Sequence, residues 1–589
     1  MMFSFPNRGA ALRRLTLGAI VALAACGDDD NGTGPDATPN PPLGLQVSTL
    51  GVTSIQVQFQ STAGDNSYVV ERGEGASGAF VTDTTISAPA TAGQVSYSDA
   101  GLKPATLYRY RVKAVRGSKE SAFTSEATAT TRNFGEGPLK DVTGDITTNT
   151  TWRADTTYVL KGFIHVANGA TLTIDPGTVI RGDFGTLGAS LFILRGAKIN
   201  AVGRADAPIV FTSSRTAGQR QPGDWGGLII IGNAPIARTG VDVEVEGTGT
   251  STGSTPGTNY RVNYSGGTTA SDNSGELRYV RVEFAGFAPV LNNELNSFTF
   301  AAVGSGTKGS FLQSMSGLDD AFEWFGGGFD LTNLVSYESG DDHFDMSEGF
   351  SGRLQYLIAF QSDVLTPRSG AGSVSSDPQG IENDGCPSTA AGCTNGHNTT
   401  PYTTPVIANF TLVGTGNVAT SGSGGGYGMV LRRGTAGYYV NGVIARWPRA
   451  AISVRDAETY LRAGSVTTPD LTTADLAIRN VLLVENAADF QSGQQPPFDL
   501  TANALRSNAT AATGALFATF PSTVGSSTNA ASFDWTPAAA SLAATGGLTT
   551  FAGKLATQAS GAVTGTAYVG AADPAGAKWW SGWTIYAKN

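Results

Sequence analysis

Asp319-Asp320-Ala321-Phe322-Glu323 is followed 22 residues later by Asp341-Asp342-His343-Phe344-Asp345. An acidic motif recurring at that interval predicts one coil of a β-solenoid stacked on the next. Adjacent coils pair as strands about 4.8 Å apart, so each carboxylate stands over its copy. Like charges that close repel and raise one another's pKa unless a cation sits between them. Oxygen-only ligands favour Ca²⁺, which takes about 6–8 of them. The candidate ligands are Asp319, Asp320, Glu323, Asp341, Asp342 and Asp345. Alternation puts Phe322 and Phe344 on one face, as stacked core residues, and the flanking acids on the other. Glu348 lies close by, and Asp377, Glu382, Asn383 and Asp384 belong to a later loop that could fold back over the same face. The plainer expectation for such a cluster is a solvated acidic edge.

The elements that must position these residues are strands. From about residue 140 a unit of apolar, any, Asn or polar, apolar keeps returning: Leu277-Arg278-Tyr279-Val280, Leu331-Thr332-Asn333-Leu334, Leu354-Gln355-Tyr356-Leu357, Ile407-Ala408-Asn409-Phe410, Val440-Asn441-Gly442-Val443 and Ile478-Arg479-Asn480-Val481. Asn at a repeated corner can stack as a ladder, its amides bonding to the coils on either side. Upstream, Gly169-Ala170-Thr171-Leu172-Thr173-Ile174-Asp175-Pro176-Gly177-Thr178 and Gly223-Asp224-Trp225-Gly226-Gly227-Leu228 resemble the first coils of right-handed parallel β-helix proteins of the pectin-lyase-like class. The predicted fold is all-β, with that β-helix over residues 140–499 and a C-terminal cap over 500–589, where Trp579, Trp580 and Trp583 would cover the open end.

The N-terminal part has a different pattern. Arg8, Arg13 and Arg14 precede the short apolar run Leu15 to Ala25, which reads as a signal peptide over 1–25. The string Leu23-Ala24-Ala25-Cys26 resembles the bacterial lipobox, which implies acylation of Cys26 and anchoring in outer-membrane lipid. Residues 26–40 form a polar tether. From 41 to 132, short alternating strands lead to Leu102-Lys103-Pro104-Ala105-Thr106-Leu107-Tyr108, which resembles the tyrosine-corner strand of fibronectin type III domains. Such a module serves as a spacer or binding platform. Val57 or Phe59 takes the place of the usual tryptophan. Without residues 1–25 the net charge moves from −10 to −13, which argues against nucleic acid as a partner. Cys386 and Cys393 remain to close a small disulfide loop in an oxidising compartment, with a Cys/His zinc site using His397 as the rival.

The β-helix resemblance implies enzyme readings as well. Polysaccharide lyases of this class hold a substrate carboxylate on Ca²⁺ and abstract a proton with a basic residue; Arg353, Arg432 or Arg433 would be that base here. Hydrolases of the class use carboxylates on adjacent coils, parts that Asp320 and Asp342 could play. The Gly-His-Gly and Arg-x-Lys strings that accompany polygalacturonase aspartates are missing, and His165, His343 and His397 form no readable constellation. The whole pattern also looks like a group of bacterial surface lipoproteins, a resemblance that carries no activity with it. The expected function is therefore a Ca²⁺-stabilised, non-catalytic surface lipoprotein that binds a polysaccharide or an envelope protein. The alternatives are a Ca²⁺-dependent lyase or glycoside hydrolase, and an accessory lipoprotein of an outer-membrane transporter.

Overall fold

In the computed structural model, residues 37–248, 262–289, 294–416, 424–521 and 523–587 are described. Cys26 and the leader lie outside them. No helix among these residues is long and apolar enough to cross a membrane. The chain divides into two compact units, the first ending at Thr131.

The first unit is an antiparallel sandwich of the fibronectin type III kind. Leu43–Thr49, Ser54–Gln60 and Gln94–Ala100 form one sheet, and Phe80–Ser87, Ser67–Glu74, Leu107–Arg116 and Lys119–Glu120 the other, with Ala127–Thr130 paired to Leu107–Arg116. Strict alternation along Leu107–Arg116 puts Tyr108, Tyr110, Val112 and Ala114 into the core. Val57 and Phe59 are both buried there.

The second unit is a parallel β-helix. One face is a nine-stranded parallel sheet running from Phe163–Val166 to Ala450–Val454. The other two faces share long strands such as Lys308–Gly317, Leu331–Ser339 and Arg353–Phe360, each bent at the corner between the faces by a left-handed residue. That residue is Tyr279, Phe311, Asn333, Tyr356, Asn409, Asn441 or Asn480, with φ between 48° and 67°, and strand register stacks all seven at one corner. Asn tolerates this conformation better than most residues, which explains the recurring unit in the sequence. The corner amides do not chiefly bond to neighbouring coils, however. Asn409 donates to Thr566 Oγ1 and the Gly570 carbonyl, Asn441 to the Leu548 carbonyl, and Asn480 to the Gly546 carbonyl.

Those acceptors belong to the C-terminal segment, and they correct its expected role. The helix continues to Arg506–Asn508, which pairs with Leu482–Val484. The core column is closed at this end by Ala463, Phe498 and Leu505, with Tyr460, Phe490 and Leu500 packed against it. The rest of the segment runs back along the outside. Phe533, Trp535, Trp580, Trp583 and Tyr586 pack on Met315, Val335, Tyr337, Ile358 and Phe360. Gln313 and the Ile585 backbone exchange two hydrogen bonds, and Arg281 donates to the Trp583 carbonyl at 2.9 Å. The aromatic residues are a lateral strap. They are not an end plug.

Candidate acidic site

The nine-stranded sheet carries the acidic motifs. Phe322–Phe325, Phe344–Ser347 and Gln379–Asp384 are consecutive rungs, with Glu323 opposite Asp345 and Asp345 opposite Glu382. Alternation holds as the sequence suggests. Phe298, Phe322 and Phe344 stack inward, with ring centroids 4.8 and 5.6 Å apart, while the acids between them point out. The outward column runs Thr299, Glu323, Asp345, Glu382, Val430, so the acidic stretch spans three rungs and stops on both sides. Beside it Asn296, Asp320, Asp342 and Gln379 each stand two residues ahead of a stacked inward residue. The Asp342 N–H donates to Asp320 Oδ1 at 2.8 Å, and the Gln379 N–H donates to Asp342 Oδ1. Close coil contact at this point requires Gly340, whose added Cβ would stand 1.9 Å from the Leu318 carbonyl oxygen.

The expected loop at Asp377 to Asp384 is instead the third rung. Glu382 joins the column, and Asn383 points inward to the Tyr439 hydroxyl. Its signature was present in the sequence: Ile381-Glu382-Asn383 repeats the inward, acid, inward order of Phe322-Glu323-Trp324 and Phe344-Asp345-Met346. Glu348 is not part of the column. It pairs with Arg238 at 3.0 Å and accepts from the Tyr264 hydroxyl.

A solvated edge does not describe this face. Asp320, Glu323, Asp342 and Glu382 are between 3% and 5% exposed. Two inserted segments cover them. Glu246, from the long connection after Leu228–Ile231, reaches Asn296 and Glu323. Ser375 and Asp377, from the connection before Gln379–Asp384, close over Asp341. Burial first, and then the neighbouring carboxylates, push Asp319, Asp320, Glu323, Asp342, Asp345 and Glu382 far above the ordinary carboxylate range. Burial raises Asp341 to about 7.

Three groups of carboxylates have oxygens within 4.8 Å of one another: Asp319, Asp320 and Asp341; Asp320, Glu323 and Asp345; and Asp342, Asp345 and Glu382. Of these seven residues only Glu382 takes part in an ion pair among the described residues, with Arg432. Arg432 also binds Asp384 at 2.7 Å and Asp377 at 3.3 Å. Burial opposes its charge, yet Asp384 and Glu382 hold its pKa above the usual guanidinium value. Asp341 Oδ1, Asp345 Oδ1 and Glu382 Oε1 are buried without a hydrogen-bond partner. Asp, Glu and amide oxygens alone make this a hard-cation donor set.

The basic and histidine candidates fall elsewhere or are already engaged. Arg353 opens a strand of the other sheet and is held by Asp330 through two bonds of 2.6 and 2.8 Å, so it cannot serve as a base beside the acids. Arg432, clamped by three carboxylates, is a counter-ion and not a proton acceptor. Arg433 binds Asp384. His343 is buried, with Nδ1 2.6 Å from Ser336 Oγ, and burial lowers its pKa to about 3, which keeps it neutral. His165 lies 2.8 Å from Asp145. Cys386 and Cys393 are joined in a disulfide with Cα atoms 5.7 Å apart, and His397 lies beside Glu458 instead of completing a Cys/His set.

A family 28 exopolygalacturonase from Yersinia enterocolitica aligns over 78% of this chain and 97% of its own, at 12% identity and a TM-score of 0.17. A Fn3-like protein from Clostridium thermocellum aligns over 17% of this chain and 99% of its own, at 26% identity and a TM-score of 0.14. TM-scores this low bear no weight for function. No curated protein matches the chain. Residues 144–536, about two-thirds of the chain, match the model of the pectate-lyase-like beta helix domain. The chain belongs to the pectate-lyase-like β-helix family.

Proposed function

We propose that this protein is a Ca²⁺-stabilised, carbohydrate-binding β-helix lipoprotein that does not turn its ligand over. The observation that carries the reading is the buried acidic column, whose carboxylates, apart from Glu382, make no ion pair among the described residues. At about 4 Å and an effective dielectric of about 20, each pair of like charges costs about 4 kcal/mol. Protonation or a bound cation relieves that cost, and an exported protein at neutral pH meets Ca²⁺ readily. Asp319, Asp320, Glu323, Asp341, Asp342 and Asp345 would hold the ion, with Glu382 as a further ligand.

Carbohydrate as the ligand class is supported by the family. A binding role in place of catalysis is supported by the engagement of Arg353 with Asp330 and of Arg432 with Asp377, Glu382 and Asp384. Burial of Asp320 and Asp342 beneath covering segments also keeps them from a polymer substrate. Acylated Cys26 would anchor the chain in outer-membrane lipid, with the fibronectin type III unit as a second binding platform.

The test pairs retention on immobilised polyuronates and neutral glycans with an absorbance assay for unsaturated uronide release, both in millimolar Ca²⁺. Retention without product supports the reading. Product formation replaces it with a lyase, and capture of an envelope protein in place of any glycan replaces the ligand class.

A further inference from the structure

The preceding reading needs only one bound cation, but the arrangement of the carboxylates holds room for more. The three groups climb the sheet in sequence and are linked: Asp320 belongs to the first and second, and Asp345 to the second and third. A carboxylate has two oxygens and can give one to each of two ions. We propose that the column binds a row of three divalent hard cations, one per group, with Asp320 and Asp345 as the bridging ligands. This rests on the cation reading above and extends it from a single ion to a bridged row.

Each group contains a buried oxygen that nothing in the protein satisfies. Asp341 Oδ1 serves the first, Asp345 Oδ1 the second, and Glu382 Oε1, from a residue 5% exposed, the third. Asn296 adds an unpartnered Oδ1 on a residue 1% exposed whose amide nitrogen bonds Glu323 of the second group. Unsatisfied buried oxygens are costly, and several at one place mark an absent partner. A hard divalent cation, which takes oxygen ligands, meets that need.

The column also shows what happens where it supplies its own cation. At the last acidic rung, Arg432 from the next coil inserts its guanidinium among Glu382, Asp384 and Asp377. Beyond it the outward position is Val430, and before the first acidic rung it is Thr299. The row is therefore closed by a neutral residue at one end and by an arginine at the other. Charge agrees, because three divalent ions balance six of the seven carboxylates in the three groups. The rival state is one ion with the remaining carboxyls protonated and sharing hydrogen bonds.

The test counts calcium per chain by plasma mass spectrometry after the full protein is stripped with chelator, reloaded in millimolar Ca²⁺ and gel-filtered. Wild type should carry three ions, Asp319→Asn two, and Asp345→Asn one, because Asp345 serves two groups. Circular dichroism of each variant checks that it has folded; if Asp345→Asn does not fold, the wild-type count and Asp319→Asn still decide. One or two ions on wild type overturns the bridged row and leaves the single-cation reading standing. No bound calcium overturns both.

Discussion

Asp342 stands one coil above Asp320 and donates its backbone N–H to the Asp320 carboxylate at 2.8 Å. The lower acid is thus a ligand to the coil above it, and the two motifs are locked in register by the same side chain that carries the charge. Asp320→Ala removes that acceptor and leaves a buried N–H unsatisfied, which costs about 1–3 kcal/mol. Asp320→Asn keeps an acceptor and should cost less in chelator. A urea titration of both variants separates the hydrogen bond from the charge.

Arg432 should behave as a fixed cation. Arg432→Met leaves Glu382, Asp384 and Asp377 without their counter-ion, and breaking a buried pair from one side costs about 3–5 kcal/mol. A larger Ca²⁺ dependence of the melting temperature in the variant than in wild type is expected, because the ion then has a further vacant anionic position to fill. An unchanged melt would mean that the guanidinium is dispensable.

The pH dependence has a defined sign. Without metal, the buried carboxyls have folded-state pKa values above their unfolded values near about 4. The folded chain then binds more protons than the unfolded one, so stability is greatest below that value and falls as pH rises. For Asp341 the loss runs up to about pH 7. Urea midpoints measured in chelator between about pH 4 and 8 should decline, and saturating Ca²⁺ should flatten the decline because the ligands are then ionised throughout.

The strap is a second test of the fold. Trp583 is 1% exposed and sits edge-on to Tyr279 with ring centroids 5.6 Å apart. Trp583→Ala should destabilise the β-helix by about 3–5 kcal/mol. Asn409→Val should also destabilise, since it loses the bonds to Thr566 and Gly570 and forces a β-branched residue into φ 55°. Calorimetry of each variant reads the effect directly.

The 22-residue interval made the stacked rungs and the inward Phe322 and Phe344 legible, because an uninterrupted coil keeps chemically equivalent residues at a constant spacing. The third rung was harder to read, since the insertion before Gln379 puts Glu382 37 residues after Asp345. Burial of the column could not be read locally. The covering residue Glu246 lies far upstream, and no periodicity links it to Glu323. Arg353 was misplaced for a related reason: it follows the acids closely in sequence, but one turn of the coil carries it to another face. The aromatic C-terminus signalled a large apolar contact without indicating whether that contact lay at the end or the side of the helix.

The most direct measurement is the melting temperature of the purified protein in chelator and in millimolar Ca²⁺, beside an Asp320→Asn/Asp342→Asn variant. At a hundredfold excess over Kd a single bound ion adds about 2.7 kcal/mol. The account predicts a clear rise in wild type that the variant lacks. Identical melts with and without Ca²⁺ in wild type would contradict it, and would mean that the column is held together by protons alone.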